Sequence, residues 1–382
     1  MSEPRLHIFN PENDGALAFG KANYTPPASA WQMHLSGEAM PLWYGSAGDR
    51  FISYGISARW LDSVCGRMNI DIDVASDVEI ASGNFVPSPW GWSDYARRLL
   101  YDAGYPGGSL PSDESISCWR ALSNRALTVK FNSLLAGRFG IDAPVPEVVV
   151  DPERLRYLCS VSEGYIKQPW SCSGRGVMHT ASVSVGEAVR RSQGAIRRQG
   201  AVMWEPALDR VCDFAMLFTC TGGTAVFEGL SMFISDPSGR YGGNVLDTQC
   251  AIEHKIFSHL ECGTRQRIQT AVTAVVNELI APYYSGPMGV DMMIYRNAAG
   301  QLAVAPCIEV NLRFTMGFPA LRFAERHLAD GAEGIIKVVE SGSIDHTSCE
   351  WHAEADGKMD SGCLVLSPPA AFAFVAEVSK KH

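Results

Sequence analysis

The sequence predicts a mixed fold, α/β in its first part and α+β in the remainder, and three observations carry that class. Over residues 1–114, short apolar runs such as Leu6–Phe9 and Val78–Val86 alternate with longer apolar stretches and turn residues, the habit of a small α/β domain. From Ala201 the chain becomes rich in strand formers, as in AVMWEPAL, CDFAMLFTC and TAVFEGLSMFIS. Helical patterns at 115–139, 186–200 and 264–284 interrupt the strands, so the protein is not all-β.

Element by element, Leu6–Phe9 reads as a strand that ends in the polar turn NPEND, residues 10–14. The stretch PGGSLPSDES, 106–115, is dense in Pro, Gly and Ser and reads as a linker. A helix follows over 115–139, with Ile116, Trp119, Leu122, Ala126, Val129 and Leu134 mostly at three- and four-residue steps, and Gly140 as its stop. APVPEVVV leads into a strand, and Tyr165–Gln168 forms another whose hairpin partner is Val177–Ser184. The arginines of GEAVRRSQGAIRRQG read as the solvated face of a short helix. In 264–284, Ile268, Val272, Val275 and Leu279 form a core stripe. GVDMMIYR and QLAVAPCIEVNLRF are two strands joined at the NAAG turn. The domain reading is 1–114, 115–200, 201–340, and a tail 341–382 packing on the core.

Composition narrows the function. The net charge of −9 argues against a protein that lives on nucleic acid. Eleven cysteines without a C-x-x-C read as free thiols of a reducing cytosol, not a disulfide framework or a zinc site. The start MSEPRLHIFNPEND lacks the basic and apolar regions of a signal peptide, and no apolar run reaches the roughly 20 residues of a membrane span. The expectation is a cytoplasmic protein without a membrane anchor.

The strand CIEVNLRF carries the chemistry. Side chains alternate along a strand, so Glu309, Asn311 and Arg313 share one face and Val310, Leu312 and Phe314 the other. Such a row either faces solvent or serves a ligand, and a hard cation such as Mg²⁺ takes carboxylates together with phosphates. Asp291 on the preceding strand offers a second carboxylate. The simple register around NAAG sets Asp291 opposite Pro306, three residues short of Glu309, and a bulge near Pro306 would narrow that gap.

YIKQPWSCSGRGVM, at 165–178, lacks both the Gly-Lys-Ser/Thr of a Walker loop and the third glycine of a dinucleotide fingerprint. Taken in order, IKQPWSCSGRGV, MWEPALDRVCDF, GVDMMIY and CIEVN with its following arginine resemble the ATP-grasp superfamily over residues 116 to 320. The resemblance implies two α+β lobes sandwiching a nucleotide, preceded by a small Rossmann-like α/β domain. It implies ATP and one or two Mg²⁺ ions as cofactors, with Mn²⁺ as a substitute.

The same resemblance implies residue roles. Lys167 matches the lysine on the α- and β-phosphates, and Ser171, Ser173, Gly174 and Gly176 match a glycine-rich flap over the triphosphate. Met203, Trp204 and Glu205 match the interlobe hinge that reads adenine, Leu208 the adenine pocket, and Asp213 the acid on the ribose. Asp291, Glu309 and Asn311 match the Mg²⁺ ligands. Arg313 looks like the arginine that steadies a phosphorylated carboxylate in biotin carboxylase-type sequences. The helix before the first strand should offer a basic residue to the phosphates, Arg125 or Lys130, and Lys130, ten residues before Gly140, fits the spacing better.

The activity so implied is an ATP-dependent carboxylate–amine or carboxylate–thiol ligase. Its partners would be small-molecule or peptide carboxylates and amines, with a homodimer as the common assembly. A kinase acting on a small acceptor and a non-catalytic nucleotide-binding protein are the alternatives. Asn10, Glu12 and Asn13 in NPEND, and Arg240, Tyr241 and Asn244 in SDPSGRYGGNVL, are the substrate candidates. Each set has a plain counterpart, a helix cap for the first and an ordinary hairpin loop for the second.

Overall fold

A computed structural model describes residues 3–171, 176–236, 241–343, 349–354 and 357–381. The first layer is a parallel sheet of β1 (Arg5–Ile8), β2 (Arg50–Phe51), β3 (Asp73–Val74) and β4 (Val86–Pro89), in the order β3-β2-β1-β4. The helix Ala58–Met68 presents Leu61, Val64 and Met68 to the core at three- and four-residue steps. It ends at Asn69, whose φ of 50° is a left-handed stop that asparagine tolerates.

The helical pattern at 115–139 resolves into two helices, Asp113–Leu122 and Leu127–Phe139. The break has a local cause. Asn124 Oδ1 accepts the Ala126 amide at 2.8 Å and the Arg125 amide donates to Pro169 O at 3.0 Å, so a side-chain bond and a bond to a distant loop replace helix bonds. Phe131 and Leu135 of the second helix share a core with Phe214, Val272 and Val275. That helix therefore packs on the large sheet, not on the small lobe expected over 115–200.

The small lobe has an antiparallel sheet of β5 (Glu147–Val149), β6 (Gly164–Lys167), β7 (Val177–His179) and β8 (Val202–Pro206), in the order β5-β8-β6-β7. It buries a core of its own around Val149, Leu155, Ile166, Val189 and Val202. Because β8 pairs inside this sheet, the small lobe extends through Pro206 and past the expected limit at residue 200.

The large sheet contains β9 (Asp209–Thr221), β10 (Thr224–Ser235), β11 (Tyr241–Leu246), β12 (Gly286–Arg296), β13 (Leu302–Asn311), β14 (Ala332–Glu340), β15 (Trp351–Ala353), β16 (Met359–Val365) and β17 (Phe372–Lys380). Their order is β13-β12-β9-β10-β11-β14-β17-β16-β15. Residues beyond 341 thus supply three strands to the sheet and are more than a tail packed upon it. The stripe Ile268, Val272, Val275 and Leu279 of the helix Thr264–Leu279 is buried on one face of the sheet. Each such side chain stabilises the fold by about 1.5–3 kcal/mol. On the other face, Leu217, Phe323 and Phe374 share a core with Phe9, Trp43 and Trp90 of the first layer, and Trp43 Nε1 donates to Leu366 O at 2.7 Å.

Candidate active site

Between Met293 and Asp291 the register of β12 and β13 shifts. Met293 pairs with Ala305, but Asp291 pairs with Glu309. Two extra residues accumulate on β13 around Pro306, whose missing amide proton suits an irregular ladder. The turn register, Arg296 opposite Leu302, supplies one residue of the three-residue gap and the bulge the other two, which sets two carboxylates opposite each other. The alternation along β13 and just past it is as the sequence implies. Val310, Leu312 and Phe314 are buried in the cores, and Glu309, Asn311 and Arg313 line a cavity that Val310 and Leu312 also border.

Within this cluster Asn311 Nδ2 donates to Asp291 Oδ2 at 2.9 Å. Burial, with the Glu309 charge adding to it, pushes Asp291 up to about 7. Burial also acts to raise Glu309, but Arg125, Lys167 and Arg313 outweigh it and hold that carboxyl below its ordinary value. Asp213, on β9 opposite Met293, adds further negative charge toward Asp291 and pairs with Arg210 at 3.1 Å. Two carboxylates and an amide oxygen are a donor set that Mg²⁺ accepts beside phosphate oxygens. A cation there would offset the burial and the Glu309 charge that together raise Asp291. Among the described residues no three His, Cys, Asp or Glu side chains converge as an all-protein metal cage.

The helix break at 123–126 aims Arg125 into this cluster. The residue is 6% exposed, and its Nη2 donates to Glu309 Oε1 at 2.7 Å. Its Nη1 donates to Gln168 O at 2.8 Å and to Ser171 Oγ at 2.6 Å. Arg125 Nε and Asn13 Oδ1 are buried polar atoms without a hydrogen-bond partner among the described residues. Lys130, the other candidate, is exposed on the opposite side of its helix from Phe131 and Leu135. The structure brings Arg125 to the acids and leaves Lys130 in solvent.

Lys167 ends β6 opposite Met203 of β8, and its Nζ lies 2.5 Å from Glu205 Oε2. Lys167, Met203 and Glu205 share one face of the small sheet, while Trp204 turns with Ile166 toward the small-lobe core. Met203 is fully buried, and Leu208 is half-buried between β8 and β9. Beyond Lys167, the Gln168 amide donates to Gly176 O at 2.9 Å, and Gly176 has a φ of 78° that favours glycine. Ser173 and Gly174 lie outside the described residues.

The first layer closes the site from another side. Arg313 places Nε 3.1 Å from Asp14 Oδ1 and Nη2 2.9 Å from Asp14 Oδ2, a two-pronged pair with a carboxylate. Phe314 N donates to Trp90 O at 2.8 Å, and Gly91 bridges Arg313. A Cβ on Gly91 would stand 2.4 Å from Asn13 Nδ2, so glycine is what lets these segments meet. The cavity is lined by Asn13, Asp14, Ser171, Glu309, Asn311 and Arg313, among others.

Several candidates do not join the cluster. Asn10 is buried and exchanges hydrogen bonds with Gly91, and Glu12 pairs with His34 at 2.8 Å, both side chains fully buried. Tyr241 and Asn244 lie in strand β11, not in a loop; Tyr241 donates to Asn244 Oδ1 and Asn244 Nδ2 donates to Ser231 Oγ. Arg240 lies outside the described residues. Asp14 is the residue that sequence reasoning passed over. It stands next to Asn13 in NPEND, and its acidic type was the one available signal.

Neither a family model nor a curated protein sequence matches the chain. Solved structures do match it along its length. N5-carboxyaminoimidazole synthetase from Staphylococcus aureus complexed with ADP aligns at a TM-score of 0.50 and 12% identity, over 100% of this chain and 95% of that one. Biotin carboxylase from Campylobacter jejuni, in a β,γ-ATP complex, gives 0.53 and 9% over 100% and 88%. The biotin carboxylase domain dimer of 2-oxoglutarate carboxylase from Hydrogenobacter thermophilus, with MgADP, ADP and bicarbonate, gives 0.50 and 10% over 100% and 87%. These are ATP-grasp enzymes, and the chain has the ATP-grasp fold with a first α/β domain.

Proposed function

We propose that the protein is an ATP-dependent ligase that activates a small-molecule or peptide carboxylate as an acylphosphate and passes the acyl group to an amine or thiol. The observation that carries this reading is the Arg313 fork, engaged with a carboxylate next to the Asp291–Glu309 pair. A substrate carboxylate would take the place of Asp14 on Arg313, in line with a γ-phosphate held over the acids.

Lys167 and Arg125 would neutralise the phosphates, Lys167 as a point charge and Arg125 through its buried guanidinium. Asp291, Glu309 and Asn311 would hold Mg²⁺, which when bound supplies charge neutralisation to the phosphoryl group. The carboxylate oxygen attacks the γ-phosphorus and ADP leaves. Arg313 steadies the acylphosphate until the amine attacks its carbonyl carbon and phosphate departs. Met203, Trp204, Glu205, Leu208 and Asp213 would hold the nucleoside.

The test is a phosphate-release screen of small carboxylates paired with amines, followed by an ¹⁸O-labelled carboxylate for the active pair. The reading expects ADP and phosphate in equal amounts, with one label oxygen carried into phosphate. A stable phosphorylated acceptor, or unlabelled phosphate, would overturn it in favour of a kinase or simple hydrolysis.

A further inference from the structure

Cys349 and Cys363 lie apart from the nucleotide site, at the far edge of the large sheet. Trp351 pairs with Gly362, and the Cys363 amide donates to Glu350 O at 2.9 Å. Gly362 makes this close approach possible, because its φ is 104° and a Cβ there would stand 2.2 Å from Glu350 O. The two Sγ atoms face each other at 2.6 Å, inside the contact distance of two unbonded sulfurs, and both residues are half-buried rather than sealed from solvent. Among the described residues no other cysteine pair approaches in this way. Cys363 is pushed up to about 12 by burial, then by the neighbouring Cys349 and by Glu377 across β17, so it keeps its proton.

We propose that Cys349 and Cys363 form a reversible disulfide, a redox modification site that takes a small-molecule disulfide such as oxidised glutathione as its oxidant. The Cys349 thiolate attacks one sulfur of oxidised glutathione, forming a mixed disulfide and expelling a glutathione thiolate. Cys363 then loses its proton and attacks the Cys349 sulfur, expelling the second glutathione thiolate. Two protein thiols are oxidised, one glutathione disulfide is reduced to two thiols, and the protons pass to the leaving groups. The bond closes the segment 349–363 and restricts its unfolded chain. Trp351 in that segment lies under the Arg67 guanidinium at 5.7 Å, so the clamp acts where the first domain meets the sheet edge.

Lys358 gives a direct readout, since tryptic cleavage after it separates the two cysteines. The full-length protein, first reduced, is incubated with oxidised glutathione, quenched with N-ethylmaleimide, digested and analysed by mass spectrometry. The proposal expects peptides 338–358 and 359–380 joined by a bond that dithiothreitol breaks, with an upward shift of the melting midpoint that the same reductant reverses. Cys349→Ser and Cys363→Ser should each lose the joined species, and Cys250→Ser, at an exposed cysteine, should keep it. Recovery of both peptides as separate maleimide adducts would overturn the proposal. So would a glutathione adduct persisting on Cys349, or a bond from Cys363 to another cysteine. None of these outcomes bears on the nucleotide reading.

Discussion

Arg125 and Lys130 stand five residues apart and differ in every physical respect that matters to the site. Arg125 is buried against Glu309 and Ser171, and Lys130 is in solvent. Lys130→Ala is therefore expected to leave ATP turnover within twofold, whereas Arg125→Ala should lower it by about 100-fold. A steady-state phosphate assay on folded variants checks both. Removing Arg125 also takes a cation from Glu309, which is half-buried and still faces Lys167 and Arg313, so the cost should fall below the about 3–5 kcal/mol of a fully buried pair. Urea melts should show that loss for Arg125→Ala and none for Lys130→Ala. The sequence made both residues candidates because both sit on a helical pattern. What separated them was the helix break, written in the side-chain bond of Asn124, a signal too short for periodicity to resolve. Asp14 stayed hidden for a related reason, since its partner Arg313 is 299 residues away.

At the scale of elements, the bulge in β13 is the feature on which the site depends. The alternation that puts Glu309, Asn311 and Arg313 on one face was legible in CIEVNLRF, and so was the proline that loosens the ladder. The size of the shift was not, because register depends on packing along the whole of β12 and β9. Deleting Ile308 should move Glu309 to the other face of its strand and abolish Mg²⁺-dependent nucleotide binding by titration calorimetry while the sheet still folds. Unchanged binding would mean that the bulge does not set the site. The limits of the small lobe were misread because β8 and β9 are nearly continuous in sequence, and pairing partners alone assign β8 to the small sheet. Beyond residue 341 the strands β16 and β17 mix polar residues and glycine with apolar ones, so the segment read as a tail packed on the core.

At the scale of the whole molecule, the first domain and one face of the large sheet share a single core, and His327 sits within it. Its ring packs on Phe323 and Trp43, and burial, followed by the positive charges of Arg326 and Lys358, lowers its pKa to about 4 from 6.5. The folded protein thus holds His327 neutral. Stability from this residue is complete above pH 6.5 and declines as pH falls toward 4, because the unfolded chain gains a proton that the folded chain refuses. Between pH 7.5 and 5 the loss should be about 2 kcal/mol by urea unfolding, and His327→Gln should flatten that slope. The small lobe, with its separate core, should show no such dependence on His327 in hydrogen exchange.

The central claim is that Mg²⁺ and a nucleotide meet at Asp291 and Glu309. Asp291 is the sharper probe, since burial and the Glu309 charge make its ionised form costly and Asn removes that cost. Titration calorimetry of adenylyl imidodiphosphate, with and without Mg²⁺, on the wild type and Asp291→Asn measures the claim directly. The account predicts that Mg²⁺ tightens binding to the wild type by about tenfold or more and that Asp291→Asn, at least as stable at pH 8, loses this gain. Equal Mg²⁺ dependence in the two proteins, or none in the wild type, would contradict it.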